Sequence, residues 1–503
     1  MGNNPLVIAI VFVPFFTGVF TLLFSNTDRD KTQRYLSLAG GVITAVVSLL
    51  LLIQVVEEGP QVYQLGGIQP PFGIVFVADN LAALFGVMAS TVLLGGILYS
   101  VNCQDKCLSY PAFMPLFMFM QTGLNGALMT GDLFTFFVFM ELMVLSSVSL
   151  VAISDDRYGP EAALKYILIS GMGTLFLLLG IAAMYATFGT LNMADMAQQL
   201  ATGERPLLAQ SAGIMLTAAF LLKSAVFPFH FWQPDFHTTA PTPLSAMLSS
   251  VVVKVGIYGI IRLVTLLFTE EAQQIEQLLV LLGIIGIFFG SFSALRTYNG
   301  KRMLAYSTIG QVGFILLCIG WGTPFALAAA IIYAFNHAFI KSSLLMLMGV
   351  VASRIKPKSA EFSYINGLGG KLPWIIGGLW FIGGMALAGV PPMNGFISKL
   401  AVARSGVDDG QWIPVILAVG SGILTLTYMF RTWQNVFQAK AKPEELRVKI
   451  KPVGDSVLAP AFLLTISLFL GLYARPLVDI ATATVEQLNN PSIYIGVVGL
   501  FGG

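Results

Sequence analysis

The sequence predicts an all-α, polytopic membrane protein of about 14 transmembrane helices, with two inverted five-helix repeats, each holding one broken helix. Three observations carry that expectation: charge is scarce, apolar stretches of spanning length recur, and basic residues alternate between the loops that join them. Only 10% of the 503 residues are charged and 56% are hydrophobic, whereas soluble domains carry about 25% charged residues. Such a composition suits a bilayer.

A span needs roughly 20 mainly apolar residues. Stretches of that kind lie near 5–24, 35–55, 78–101, 111–129, 132–153, 162–188, 208–228, 244–268, 275–295, 303–320, 323–352, 372–400, 412–438 and 454–475. The first has no basic leader and no small-residue cleavage site before the second, so it reads as span one and not as a removable signal. The longest polar segments, 56–77, 189–207 and 439–453, are too short to fold alone. The expected organisation is helices 1–3 in 1–110, a first repeat of helices 4–8 in 111–268, a second repeat of helices 9–13 in 269–438, and a last helix with its tail in 439–503.

Net charge is only +2, but placement is informative. Of the 27 Lys and Arg, six lie within or at the end of a stretch: Lys223, Lys254, Arg262, Lys341, Lys399 and Arg431. All but three of the remainder sit on odd-numbered loops, the exceptions being Arg205, Arg404 and Arg475. By the positive-inside rule the odd loops are cytoplasmic and both termini lie outside. One missed helix would scramble the alternation, so it also supports the span count.

Several chemistries find no support. Cys103 and Cys107 flank a loop expected on the reducing side and Cys318 lies in a span, without the neighbouring ligands a metal site requires. No phosphate-binding loop and no dinucleotide fingerprint is present, which argues against nucleotide-driven transport and hydride chemistry. Energy for any transport then comes from a gradient or a partner.

Ionisable residues inside spans are costly and mark function by default. Glu141 sits deep in DLFTFFVFMELMVLSSVSL, Lys223 closes AAFLLK, and Lys254 lies in LSSVVVKVGIYGIIR. His337 and Lys341 share one helix face in IIYAFNHAFIKSSLLMLMG, being four residues apart, and Lys399 lies in GVPPMNGFISKLAV. Plainer readings exist for each: Lys254 and Lys399 near helix ends can snorkel, Glu141 and Lys223 can form a static pair, and His337 can be a hydrogen-bonded core histidine. The set as a whole resists them. Four lysines against one glutamate leave charge that static pairing does not cancel, and buried amines in that position exchange protons readily.

Two interruptions point the same way. VFPFHFWQPDFHTTAPTP follows Lys223, and LAGVPPMNG precedes Lys399. Proline at membrane depth frees backbone groups that protein or water must satisfy, so such breaks line cavities. Their matching places in the two five-helix units are the pattern of inverted repeats with ion sites at the breaks.

These residues carry a resemblance. FPFHFWQPDFHTTAPTPLSAMLSSVVVKVGIYGIIR, the membrane Glu141, RMLAYSTIGQVGFIL at 302–316 and AGVPPMNGFISK at 388–399 are similar to the antiporter-like membrane subunits of respiratory complex I, membrane-bound hydrogenases and Mrp-type multisubunit Na+/H+ antiporters. The likeness runs over nearly the whole chain. Its length and its ending, LNNPSIYIGVVG, resemble the D-type subunits of Mrp antiporters, while 228–243 reads more like the complex I members.

The resemblance implies that Glu141 and Lys223 pair at the half-channel on the cytoplasmic side. It makes Lys254 the central lysine, His337 and Lys341 linking residues, and Lys399 the lysine of the outer half-channel. It further implies a proton relay along these six residues, coupled to export of Na+ or K+ by a complex with A, B, C, E, F and G type membrane subunits. The setting would be the cytoplasmic membrane of a bacterium or archaeon, with no electron cofactor in this chain and no nucleic-acid partner. Alternatives from other classes are a proton-pumping subunit of a redox complex, a membrane scaffold with static ion pairs, and a carrier of an organic solute, for which no substrate site is evident.

The charge alternation makes a direct prediction. In intact cells a cysteine at Glu445 resists an impermeant thiol reagent and one at Asn489 reacts; the reverse labelling overturns both the orientation and the parity of the span count.

Overall fold

The computed structural model describes residues 3–24, 30–202, 206–439 and 448–498. Arg29, Arg205, Lys440, Lys442, Arg447 and the labelling position Glu445 lie outside the described residues. Each apolar stretch of the sequence falls on a helix or on two helices divided by a break. Among the described residues, ten helices are long and apolar enough to cross a bilayer unaided. The pair Leu458–Leu472 and Arg475–Leu488, bent by 79°, is an eleventh candidate.

The remaining stretches fall short for physical reasons. Phe113–Met129 has 17 residues, about 26 Å of helix against a hydrocarbon core of about 30 Å. Leu207–Lys223 and Trp374–Ala388 stop early because the chain breaks there. Helix starts follow the sequence: Asp79, Asp132, Asn299 and Thr323 each accept a backbone N–H of the first turn, as capping residues do.

The two most enclosed helices form the axis of the fold. All of the spanning window of Pro324–Ser353 and 94% of that of Thr242–Leu267 is buried, against 33% for Pro5–Leu22, Gly159–Phe188 and Trp412–Gln438. The outer helices turn Leu168, Leu175, Leu179, Ile416 and Ile423 outward, which suits lipid or a neighbouring membrane chain and not water. Lys254, His337 and Lys341 therefore lie on the axis, the most water-excluded part of the molecule.

Both breaks end their helix in the same way. At the first, Val226 N–H donates to Leu221 C=O (3.1 Å) and Ala225 N–H to Leu222 C=O (3.1 Å). At the second, Val390 N–H donates to Met385 C=O (3.0 Å) and Gly389 N–H to Ala386 C=O (3.1 Å). This is the Schellman arrangement, which requires a left-handed residue after the helix. Gly389 meets that requirement at φ 82°, whereas Ala225 does so at φ 52° despite its Cβ, a strained choice for a non-glycine residue.

Charged groups gather at the two ends of the bundle. At one end Asp235 accepts Lys165 (3.0 Å) and Arg302 (3.1 Å), and Asp105 pairs with Lys358. Burial works to raise the Asp105 carboxyl, but the Lys358 ammonium prevails and holds it below the usual carboxylate range. Asp79 and Arg262 meet at the other end. Two short antiparallel ladders, Gln61–Gln64 with Val75–Ala78 and Ile355–Lys356 with Lys449–Ile450, tie loop segments together.

Close helix contact depends on small residues, as is usual in bilayers. Ala272–Arg296 and Gly300–Gly320 pack so tightly that a Cβ on Gly290 would lie 2.4 Å from Gly310 N and 2.7 Å from Tyr306 O. Gly290→Leu is expected to cost at least about 1–3 kcal/mol through this overpacking. Gly420→Leu, at a position with nothing within 4 Å, is its control. Thermal unfolding of the solubilised protein separates the two, and equal midpoints would refute the packing account.

Candidate functional site

The first charged group is built where the Leu207–Lys223 helix stops. Lys223 Nζ lies 2.9 Å from Glu141 Oε1 on the neighbouring Leu133–Ala152 helix. It also meets Ser170 Oγ at 2.8 Å and Thr174 Oγ1 at 3.1 Å, and the Thr174 hydroxyl donates to Glu141 at 2.6 Å. An ammonium with three oxygen partners is fully satisfied. The Lys223 side chain is 6% exposed and that of Glu141 22%, so the carboxylate faces the flank of the molecule while the lysine points inward.

Beyond Lys223 lies a void of about 10 Å³ lined by Tyr166, Ser170, Trp232, Val252 and Val255, room for about one water. Val252 and Val255 belong to the helix of Lys254, the next lysine inward. That helix carries a π turn at Leu248–Val252, a feature common at functional sites. A carbonyl of this turn, that of Ser249, accepts Lys254 Nζ at 3.3 Å.

Lys254 Nζ lies 2.8 Å from His337 Nδ1 across the two axial helices. The imidazole therefore presents either a lone pair to an ammonium or an N–H to an amine, according to where the proton sits. Among the described residues His337 Nε2 has no hydrogen-bond partner, and neither has Lys341 Nζ, although both are buried. The i, i+4 spacing puts Lys341 on the His337 face of the helix, yet the structure brings it to no hydrogen-bonding group among the described residues.

Lys399 stands after the second break, in the Asn394–Asp408 helix, and its Nζ reaches back to donate to Ala388 C=O at 2.8 Å. Ala388 is the last residue of Trp374–Ala388, so the lysine satisfies a carbonyl that the break leaves free. The Phe314 ring lies 5.5 Å from the same Nζ, a cation–π distance. A second void of about 10 Å³ is lined by Gln311, Tyr333, His337 and Ser398, the residue before Lys399. Tyr333 donates to Gln311 at 2.5 Å and Asn336 to Ser398 at 3.0 Å.

The six titratable residues stand out in the sequence, whereas most of the neutral ones that hold them do not. Ser170 and Thr174 stand at i, i+4 in the apolar middle of the Gly159–Phe188 helix, a spacing that aims two hydroxyls at one neighbour and is legible in the sequence. Gln311, Tyr333 and Ser398 gave no comparable signal, because single polar residues in buried helices are common. Asp79 takes both arms of Arg262 at 2.6 Å, and in the sequence nothing marks it beyond its place at the start of an apolar stretch.

Comparison with known proteins places this arrangement in context. Residues 130–425 match the family model described as NADH:quinone oxidoreductase/Mrp antiporter, TM. The D-type Na(+)/H(+) antiporter subunit of Alkalihalophilus pseudofirmus is 32% identical over 98% of this chain and 99% of its own length. In the Mrp complex of a Dietzia species, one chain superposes with a TM-score of 0.88 at 26% identity, covering 98% of this chain and 99% of that one. A chain of the membrane-bound sulfane sulfur reductase, an archaeal respiratory membrane complex, gives 0.88 at 28% identity over 98% of this chain and 100% of that one.

Proposed function

The chain belongs to the NADH:quinone oxidoreductase/Mrp antiporter family of membrane proteins, and on that premise we propose that it is the proton-translocating subunit of a multisubunit Na+ or K+/proton antiporter. The observation that carries the reading is the Glu141–Lys223 pair, 2.9 Å apart and braced by Ser170 and Thr174 directly behind a helix break. Protons pass from Lys223 to Lys254, across to His337 with Lys341 beside it, and on to Lys399. Drawing Glu141 away from Lys223 frees the first proton to move inward, since the ammonium loses its counter-charge. The proton motive force supplies ~2.3 kcal/mol per charge per 100 mV.

The same reading gives fourteen spans in two inverted five-helix repeats, 111–268 and 269–438. What supports this is that both breaks end in the same hydrogen-bond pattern and each has a lysine beside it. It places the Lys165–Asp235–Arg302 end in the cytoplasm and both termini outside, in the cytoplasmic membrane of a bacterium or archaeon. Partner membrane subunits of A, B, C, E, F and G type complete the complex, and the half-exposed flank holding Glu141 suits one of them. The chain is a secondary transporter subunit and not an enzyme.

A second reading, a proton-pumping subunit of a redox complex, draws support from the likeness to a respiratory membrane complex. Co-purification decides between them: small membrane subunits alone favour the antiporter, iron–sulfur subunits the redox pump.

Vesicle transport assays test the relay itself. Glu141→Gln keeps the shape and removes the charge, so antiport is expected to be lost at every pH. Glu141→Asp keeps the charge and retains activity displaced along the pH axis. Normal transport by the glutamine variant would reduce Glu141 to a hydrogen-bonding group.

Lys399→Ala is expected to assemble and to lose antiport, because its proton has no way outward. An assembled alanine variant with full antiport would remove Lys399 from the relay.

A further inference from the structure

Arg262 and Asp79 form a two-armed ion pair buried near one end of the bundle, and the relay does not use them. The guanidinium donates to both Asp79 carboxylate oxygens at 2.6 Å and, through Nε and Nη2, to the Tyr258 hydroxyl at 3.1 and 3.0 Å. Its plane lies 5.0 Å from the Tyr258 ring and 5.1 Å from that of Tyr494. Asp79 is 1% exposed and Arg262 4%. Asp79 is itself fixed, because it caps the Asn80–Val101 helix by accepting Ala82 N–H at 2.9 Å.

Position distinguishes this pair from a brace. Lys254, Tyr258 and Arg262 stand at i, i+4 and i+8, so they follow one face of the axial helix from the centre of the bundle to its end. Immediately after Arg262 the helix loosens into a π turn, Leu263–Leu267. Val264 and Thr265 of that turn line a cavity of about 380 Å³, together with Glu276 and Asn489. The cavity reaches the surface at the exposed Thr269 and Asn489.

The line of that face from the central lysine to a wide mouth carries two polar side chains, Tyr258, whose hydroxyl donates to Leu128 C=O at 2.7 Å, and Arg262, and the Glu276 carboxylate in that mouth attracts cations. Helix-to-helix bracing alone would be served as well by apolar side chains, without the cost of dehydrating two ions. An arginine fixed in a pore excludes protons by its permanent charge.

We propose that Arg262, held across this line by Asp79, is an electrostatic barrier that stops protons on Lys254 from escaping directly to the face opposite Lys165, Asp235 and Arg302. Without it the relay would short-circuit at its midpoint, before reaching His337 and Lys399. Asp79 and Tyr258 act as positioning residues: they hold the guanidinium where it blocks. The inference rests on the proton-relay reading of Lys254.

The test uses the whole complex reconstituted in liposomes with a pH-sensitive dye inside, a potassium diffusion potential as driving force, and no transported cation. Asp79→Asn, which leaves the guanidinium charge uncompensated, is expected not to raise passive proton conductance, whereas Arg262→Gln is expected to raise it about tenfold. That is the effect of one unit charge acting over about 12 Å of helix at an effective dielectric of about 20. Adding Lys254→Ala to Arg262→Gln is expected to return conductance to the wild-type level, because the route begins at that lysine.

Unchanged conductance in an assembled Arg262→Gln variant, or an equal leak in Asp79→Asn, overturns the barrier. A leak that persists in the Arg262→Gln, Lys254→Ala double variant overturns the route. Antiport that survives Lys254→Ala alone would sink the relay reading instead, and the single-variant leak would still decide the barrier. Arg262→Lys, which keeps the charge but not the two-armed grip, guards against misfolding. If it and both other variants fail to assemble, the pair is a structural brace and the proposal falls.

Discussion

Charge in a medium of low dielectric must find its partner locally, and the architecture of this chain follows from that constraint. A carboxylate or ammonium carried into the bilayer interior costs several kcal/mol even after relaxation. Four cations inside the bundle are met in four different ways. Lys223 has a carboxylate and two hydroxyls, Lys254 a carbonyl and an imidazole, Lys399 a carbonyl and an aromatic face, and Arg262 both arms of Asp79. Lys341, whose Nζ has no hydrogen-bond partner, is the exception, and it lies on the helix that is wholly enclosed.

Helix irregularity provides several of these partners. In a regular helix each interior carbonyl already accepts a backbone N–H, so it is a weaker acceptor for a lysine than a carbonyl freed by a break. Ending the helix at Ala388 frees a carbonyl for Lys399, and the π turn before Lys254 turns the Ser249 carbonyl toward its ammonium. The first break acts differently: it frees nothing for Lys223 directly but removes the helical turn that would otherwise cover it, leaving the small void toward Val252 and Val255. Three lysines are thus each associated with a local departure from α-helical geometry, and two of those departures carry proline in the sequence.

That association explains what could be read in advance. Apolar length, the proline-marked breaks and the six titratable residues are properties of single segments, so the amino-acid order reveals them. The π turns at 248–252 and 263–267 are not legible, because LSSVV and LVTLL are compatible with ordinary helix. Which polar neighbours reach each charge depends on helix rotation and crossing, and a one-residue turn about the axis would swing Ser170 and Thr174 away from Lys223. Asp79 was hidden for a further reason: it doubles as a helix cap, and an aspartate before an apolar run has that sufficient local explanation.

The contacts of Lys223 and Lys254 differ in kind, and the difference bears on direction. Lys223 faces an anion, so moving its proton away leaves a buried carboxylate without its counter-charge and the step is opposed until the carboxylate itself is neutralised or displaced. Lys254 faces an imidazole, a group that is uncharged when it accepts, so a proton crossing that 2.8 Å contact moves a positive charge without stranding a negative one. In the proposed relay the first contact stores the proton and the second passes it. A static scaffold needs only contacts of the first kind, since a lysine set against a histidine on the most buried helices gains no counter-charge there. The Lys254–His337 pair is therefore the part of the structure that a purely structural reading explains least well.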